Sequence, residues 1–357
     1  MTDQQEKYDP RQVRFRKVFF SGVAILALGF FTPFAVAQPD LAMAAERPAT
    51  AEVKPETPAY PASPSSPGEE QEEEKQFDQR MLMALFRPVV EIFPAEKERQ
   101  DLTFGNFFSY GWHAGWKEPE EGPNDAPRIR LLRIQEAVWE REIRLIHNYV
   151  FGMNEEERDR QEVEGEISLP VSRRFLLEFE QPVADIRSNG SSSFASGDLR
   201  VVPKVMLYET HSTSLSSGLS IRTPTGRRSV EAHRTSLTPY LALWTDLGQR
   251  VGLHTFFGTD FPLGGWGPDR PEAFVRYSIA PSKTVTSRDT PFLGNLTLFA
   301  EFNGTTQVGG IDPQTTVTAL PGVRWLLLKD FWVATGYEFT LTGIDEKRVW
   351  LSVYRDF

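Results

Sequence analysis

The side chains able to do chemistry are few and widely spread. Five histidines, His113, His147, His211, His233 and His254, share no metal-ligand spacing. No nucleophile elbow, phosphate loop, zinc-protease motif or dinucleotide fingerprint occurs. The chain has no cysteine, which excludes disulfides, thiolate metal sites and thiol nucleophiles. Two arrangements have suitable residue types. His254 with Ser220 or Ser278 could form a hydrolase pair in which imidazole takes the serine proton. No fixed spacing supports that pair, and a histidine satisfied by its surroundings is the simpler reading. Glu178 and Glu180 fall on one face of a strand, as the paired acids of a glycosidase would. Arg200 and Lys204 on a neighbouring strand offer them cross-strand ion pairs, which is the plainer account. The reading is of a protein that is not an enzyme and needs no cofactor.

The elements that must carry these residues are strands. Past residue 142 the dominant hydrophobic period is two. Phe175, Leu177 and Phe179 alternate with Leu176, Glu178 and Glu180. In the same way Leu296, Leu298, Ala300 and Phe302 alternate with Asn295, Thr297, Glu301 and Asn303. Turn signals such as Ser188-Asn189-Gly190, Pro224-Thr225-Gly226 and Asp246-Leu247-Gly248 separate such runs. About twelve strands result, near 143–152, 163–171, 174–183, 197–209, 214–224, 235–246, 249–260, 272–283, 293–304, 315–328, 331–342 and 347–357. An even number of strands about ten residues long fits a closed antiparallel transmembrane β-barrel, an all-β fold. The polar face then carries Glu164, Glu166, Glu178, Glu180, Asp198, Arg200, Lys204, Arg222, Arg276, Glu301, Arg324 and Glu338. A soluble sandwich would show these to water, whereas a membrane barrel would hold them in its lumen. Periodicity alone leaves both open. In the barrel reading Glu178, Glu180, Arg200, Lys204, Arg222, His254, Arg276, Glu301, Arg324 and Glu338 are the lumen candidates. Barrels of eight strands are filled and those of sixteen are open, so twelve predicts a narrow or partly plugged pore.

Composition and the N-terminal third narrow the choice. The 357 residues carry 49 acids against 39 bases, a balance unsuited to a nucleic-acid partner. A mean hydropathy of -0.37 excludes a helical membrane bundle but not a barrel, whose apolar face vanishes in the average. Basic residues 11–17 precede an apolar run over 18–31, a break at Thr32-Pro33 and the small residues Ala35-Val36-Ala37. This is the plan of an export signal over 1–37, with Ala42-Met43-Ala44 a second cleavage candidate. An uncleaved anchor helix is the alternative, although the run is short of the roughly 20 residues a span needs. Residues 38–76, rich in Pro, Ala, Ser and Glu, form a disordered linker. Residues 77–141 form a periplasmic or plug-like segment. It opens with a short amphipathic helix over 77–94, interrupted at Pro88. Six aromatics then crowd 102–116: Phe104, Phe107, Phe108, Tyr110, Trp112 and Trp116. Such a cluster more often packs or sits at a membrane boundary than stacks a ligand.

The last run, Val349-Trp350-Leu351-Ser352-Val353-Tyr354-Arg355-Asp356-Phe357, resembles the assembly signal of Gram-negative outer-membrane barrels, departing from it at Arg355. Phe357 would then engage the barrel-assembly machinery. Gly197-Asp198-Leu199, Leu219–Gly226 (LSIRTPTG), Ser236–Tyr240 (SLTPY), Leu320–Val323 (LPGV) and Phe339–Gly343 (FTLTG) follow one another in the order of an outer-membrane family. Over about residues 160–357 the chain resembles that family, named for the meta-cleavage pathway of phenol degradation. The resemblance implies an outer-membrane barrel that passes small, often hydrophobic compounds, with outer-membrane lipid and a small-molecule solute as partners. It leaves the oligomeric state and the solute's identity open. A structural or hydrolase-type outer-membrane barrel is the rival reading.

Overall fold

The computed structural model describes Phe86, Val89, residues 91–94 and residues 99–357, apart from 154–157, 189–190, 228–233, 265–270, 311–312, 329 and 344–345. The expected export signal (1–37) and linker (38–76) lie outside the described residues. Of the expected helix over 77–94, Phe86 and Val89 have helical backbone.

Runs rich in Val, Leu, Phe, Tyr and Thr, cut by Gly, Pro and Asp, become strands because their side chains suit a pleated surface with two unlike faces. These are β1 (Glu142–Met153), β2 (Arg158–Pro170), β3 (Phe175–Ser188), β4 (Ser191–Ser196), β5 (Arg200–Glu209), β6 (Thr213–Arg222) and β7 (Ser236–Asp246). They continue as β8 (Val251–Pro262), β9 (Ala273–Thr284), β10 (Gly294–Val308), β11 (Thr315–Leu328), β12 (Phe331–Thr342) and β13 (Lys347–Asp356). Neighbours in sequence pair antiparallel. The pairing of β1 with β13, Glu142 opposite Asp356, closes the ring. Twelve strands make the wall. The thirteenth, β4, pairs with the distal half of β3 while β5 pairs with its proximal half. The expected run at 197–209 is thus continued upstream by β4, beyond a break at 197–199.

We call the end where β1 starts and β13 finishes the near mouth. The connections there are short, at 171–174, 210–212, 247–250 and 329–330, with a longer one at 285–293. The far mouth carries the long connections at 223–235 and 263–272.

The faces sort by polarity in the direction opposite to a soluble protein. Leu241, Phe257, Tyr277, Ile279, Leu298, Phe302, Tyr337 and Leu341 stand exposed on the outside. Their sequence neighbours Thr297, Glu301, Asn303 and Glu338 are buried inside, as are Ser216 and Ser352 on other strands. One register shift breaks the alternation usefully. Between Met206 and Tyr208 the β5–β6 ladder slips, so Tyr208 faces out opposite Leu215 and Glu209 turns in opposite Ser214. Unbroken alternation from Lys204 would put Tyr208 on the polar face instead.

Candidate functional site

The barrel interior is occupied by the chain's own segment 126–140. Ile129, Leu131, Leu132 and Ile134 are buried against inward residues of four strands: Ile146 on β1, Phe299 on β10, Leu320 on β11 and Trp350 on β13. Ala137 and Val138 pack with Val202, Tyr240 and Trp244 from β5 and β7. A segment that touches inward residues on opposite sides of a closed ring lies within it. Gly322, opposite Phe299, shows why a glycine stands there: a Cβ would come within 2.4 Å of the Phe299 ring. The ring lies across Gly322, towards the segment.

Polar contacts fix the same segment. Arg130 forms buried ion pairs with Glu142 (2.6 Å) and Glu178 (2.8 Å), and also with Glu136 and Glu166. It donates to Ser168 Oγ at 2.8 Å. Lys204 reaches Glu178 at 3.1 Å and Glu136 at 3.2 Å. Burial disfavours the Glu136 carboxylate, but Arg130 and Lys204 outweigh it and hold the group below the usual carboxylate range. Glu136, Glu166 and Glu178 bring carboxylate oxygens within 4.8 Å of one another, a geometry a metal ion could use. Arg130 already supplies a cation to all three.

The segment rises from the near mouth, turns and comes back. At its tip Leu132, Arg133 and Ile134 point three successive backbone N–H groups at the buried Glu301 carboxylate, at 2.7 Å, 3.1 Å and 2.9 Å. Successive amides converging on one anion form a nest. Arg133 itself pairs with Glu338, which also accepts from Thr318 Oγ1 (2.6 Å) and Trp350 Nε1 (2.8 Å). Beyond the tip, Arg133, Thr316, Thr318, Glu338, Glu346 and Arg348 line a cavity of about 130 Å³. On the return, Trp139 Nε1 donates to Arg173 O at the near mouth.

The lumen candidates therefore divide. Glu178, Lys204, Glu301 and Glu338 hold the internal segment. Glu180 and Glu164 share Arg200, at 2.9 Å and 3.0 Å. Arg276 pairs with Asp260 at 3.2 Å and remains water-accessible towards the far mouth. Arg222 stands opposite Arg200 at the far end of β6, its Nε without a hydrogen bond among the described residues. Arg324 is buried near the near mouth, bonded to Tyr354 and 3.6 Å from the Trp332 ring centroid. His254 is buried inside, and neither ring nitrogen has a hydrogen-bond partner among the described residues. The described residues thus do not assemble the serine–histidine pair with Ser220 or Ser278. The amide of Phe357 donates to Arg141 O, and its ring lies 5.6 Å from that of Phe86.

Alternation pointed to the inward wall residues. It passed over Arg130, Arg133, Glu136 and Glu209. The signal for the two arginines was available in Ile129-Arg130-Leu131-Leu132-Arg133-Ile134, an apolar run with two arginines ahead of the first strand.

Several solved barrels are similar in fold. An outer membrane channel from Pseudomonas putida F1 aligns with a TM-score of 0.48 at 12% identity, covering 67% of this chain and all of that one. The NanC porin gives a TM-score of 0.45 at 11% identity, over 60% of this chain and all of that one. The KdgM porin in complex with disordered oligogalacturonate gives 0.41 at 11%, over 60% of this chain and 99% of that one. No curated protein matches the chain in sequence. The profile of a family described as "Putative MetA-pathway of phenol degradation" matches residues 160–348, from β2 into β13. That match spans more than half of the chain, and the chain belongs to this family.

Proposed function

We propose that the chain is an outer-membrane channel for small solutes, closed over its near half by its own segment 126–140. The observation that carries this reading is the reversed polarity of the wall, with Leu298 and Phe302 outside and Thr297 and Glu301 inside. Such a wall is stable where lipid covers the outside and water and the internal segment fill the inside. The two longest connections, at 223–235 and 263–272, lie at the far mouth, and those at the near mouth are tight turns apart from 285–293; this asymmetry fits extracellular loops at the far mouth and periplasmic turns at the near one. The far mouth then faces the outside, and a solute first meets Arg276, Asp260, Arg200 and Glu164. The family resemblance supports a preference for hydrophobic compounds.

The test has three parts. Extraction of the membrane fraction, with boiled and unboiled samples compared on a gel, reports a folded barrel. Conductance in a planar bilayer reports a pore. Liposome swelling with phenol against a sugar reports the solute preference. A barrel that stays silent even after the internal segment is loosened is an inert scaffold, and the channel reading is then wrong.

A further inference from the structure

We infer that the aromatic loop 103–112 is a membrane anchor that seats Phe104 and Phe108 in the lipid interface beside the near mouth. The inference rests on the lipid-facing reading of the barrel's outer surface.

Phe108 is 91% exposed and Phe104 63% exposed, although both belong to a closely tied loop. Leu102 and Glu209 exchange two backbone hydrogen bonds, at 2.8 Å and 2.7 Å, and so dock the start of the loop on the end of β5. Arg174, in the near-mouth turn between β2 and β3, gathers the rest. It donates to Asn106 Oδ1 at 2.7 Å and to Tyr110 O at 2.5 Å, and its guanidinium sits 4.9 Å from the Phe107 ring centroid. Trp112 Nε1 donates to Phe107 O at 2.6 Å. Gly111 closes the loop with φ +90°, and a Cβ there would meet Leu102 and Arg174 side chains at 2.9 Å. The display of the two rings is therefore built in.

Position identifies the partner. Phe104 stacks on Tyr208 at 5.8 Å, and the bulge in β5 has put Tyr208 on the outer face of the wall. The loop thus leaves the near mouth and lays an aromatic ring on the same surface that carries Leu241, Phe257 and Leu298. Continuity with that apolar band selects lipid over a soluble partner. Girdles of aromatic residues flank the apolar band of membrane barrels at both interfaces.

The chain has no cysteine, so one introduced thiol gives one labelled site. Phe108→Cys, Leu298→Cys and Glu120→Cys would each be spin-labelled in the full chain and reconstituted in phosphatidylcholine–phosphatidylglycerol vesicles. Relaxation by oxygen and by a water-soluble nickel chelate then reports the depth of each label. Labels at 108 and 298 should favour oxygen over nickel several-fold more than the label at 120. A 108 label as nickel-accessible as the 120 label, with 298 still in lipid, overturns the anchor and leaves the barrel reading intact. Aqueous labels at both 108 and 298 would remove the barrel reading and the anchor with it. A 108 label shielded from both reagents points to a protein contact and also overturns the proposal.

Discussion

Arg130 and Glu178 meet at 2.8 Å inside the barrel, one on the segment ahead of the first strand and the other on the inward face of β3. Neither residue is intelligible alone. An arginine in an apolar run would be costly without partners, and an acidic wall residue would repel Glu166 and Glu136 beside it. Together they join the wall to what fills it. Four acids, Glu136, Glu142, Glu166 and Glu178, face Arg130, Lys204 and Arg144 there. Removing Arg130 leaves those acids with too little compensating charge. Arg130→Met should destabilise the seated segment by about 3–5 kcal/mol, as expected for one partner lost from a buried ion pair. Single-channel recording should show larger or more frequent openings while the unboiled protein still migrates as a folded barrel. Unchanged recordings would detach Arg130 from closure.

Glu301 offers a finer probe of the same device. Its two oxygens accept all three N–H groups at the tip, so Glu301→Gln retains one acceptor and turns an amide NH2 on the other. Hydrogen bonds to charged groups contribute roughly 1.5–3 kcal/mol, and the loss should fall on the tip alone. Open probability should rise with little change in thermal unfolding of the barrel. A lowered melting temperature with unchanged open probability would make Glu301 a general brace of the wall.

Much of the wall was legible because a strand alternates faces whatever surrounds it. Each of the twelve expected runs corresponds to a wall strand, and Glu301, Arg324 and Glu338 do point inward. The filling was less legible, since period two says which way a side chain points and nothing about what it meets. Phe299, Leu320 and Trp350 sit on the charged face as apolar exceptions, and their reason is Ile129–Ile134. Tyr208 and Glu209 exchanged faces through a bulge that leaves no mark in composition.

Substitutions across the wall test the assigned faces. Alternation alone would make Thr297→Arg harmless, but Thr297 is 0% exposed and bonded to Thr284 Oγ1 at 2.7 Å. An inward position with room is Thr316, which lines the far-mouth cavity. Leu298→Arg, at a position 52% exposed on the outside, should cost roughly 2–4 kcal/mol near the bilayer midplane. Thr316→Arg should leave unfolding in vesicles nearly unchanged. Equal effects would mean that the faces are misassigned.

Deleting Phe357 tests the terminal strand. Val349, Leu351 and Val353 face outward on β13 while Ser352 and Tyr354 are buried inside. If the ring of Phe357 acts in assembly, its deletion should lower the amount of folded barrel in the outer membrane without altering the stability of the barrels that do form. Quantifying the heat-modifiable band in membrane fractions measures the first, and its melting the second. Unchanged band intensity would leave Phe357 with its contacts to Phe86 and Arg141 and no part in assembly.

Selectivity should depend on charges that water reaches. Arg276 meets Asp260 at 3.2 Å and stays accessible, whereas Arg324 is buried between Tyr354 and Trp332. A charge exposed to the path acts on a passing ion across a short, weakly screened distance, while one sealed behind the filling acts through more protein and spends its field on its neighbours. Arg276→Gln should therefore shift the reversal potential across a salt gradient towards cation preference and leave barrel yield intact. Arg324→Gln should leave the reversal potential close to wild type and lower the melting temperature, because Tyr354 loses its partner in a buried site. The pair is best measured in an Arg130→Met background if the wild-type current is too small to resolve. A reversal potential that moves with Arg324 and ignores Arg276 would place the solute path along the near-mouth wall instead of the far-mouth charges.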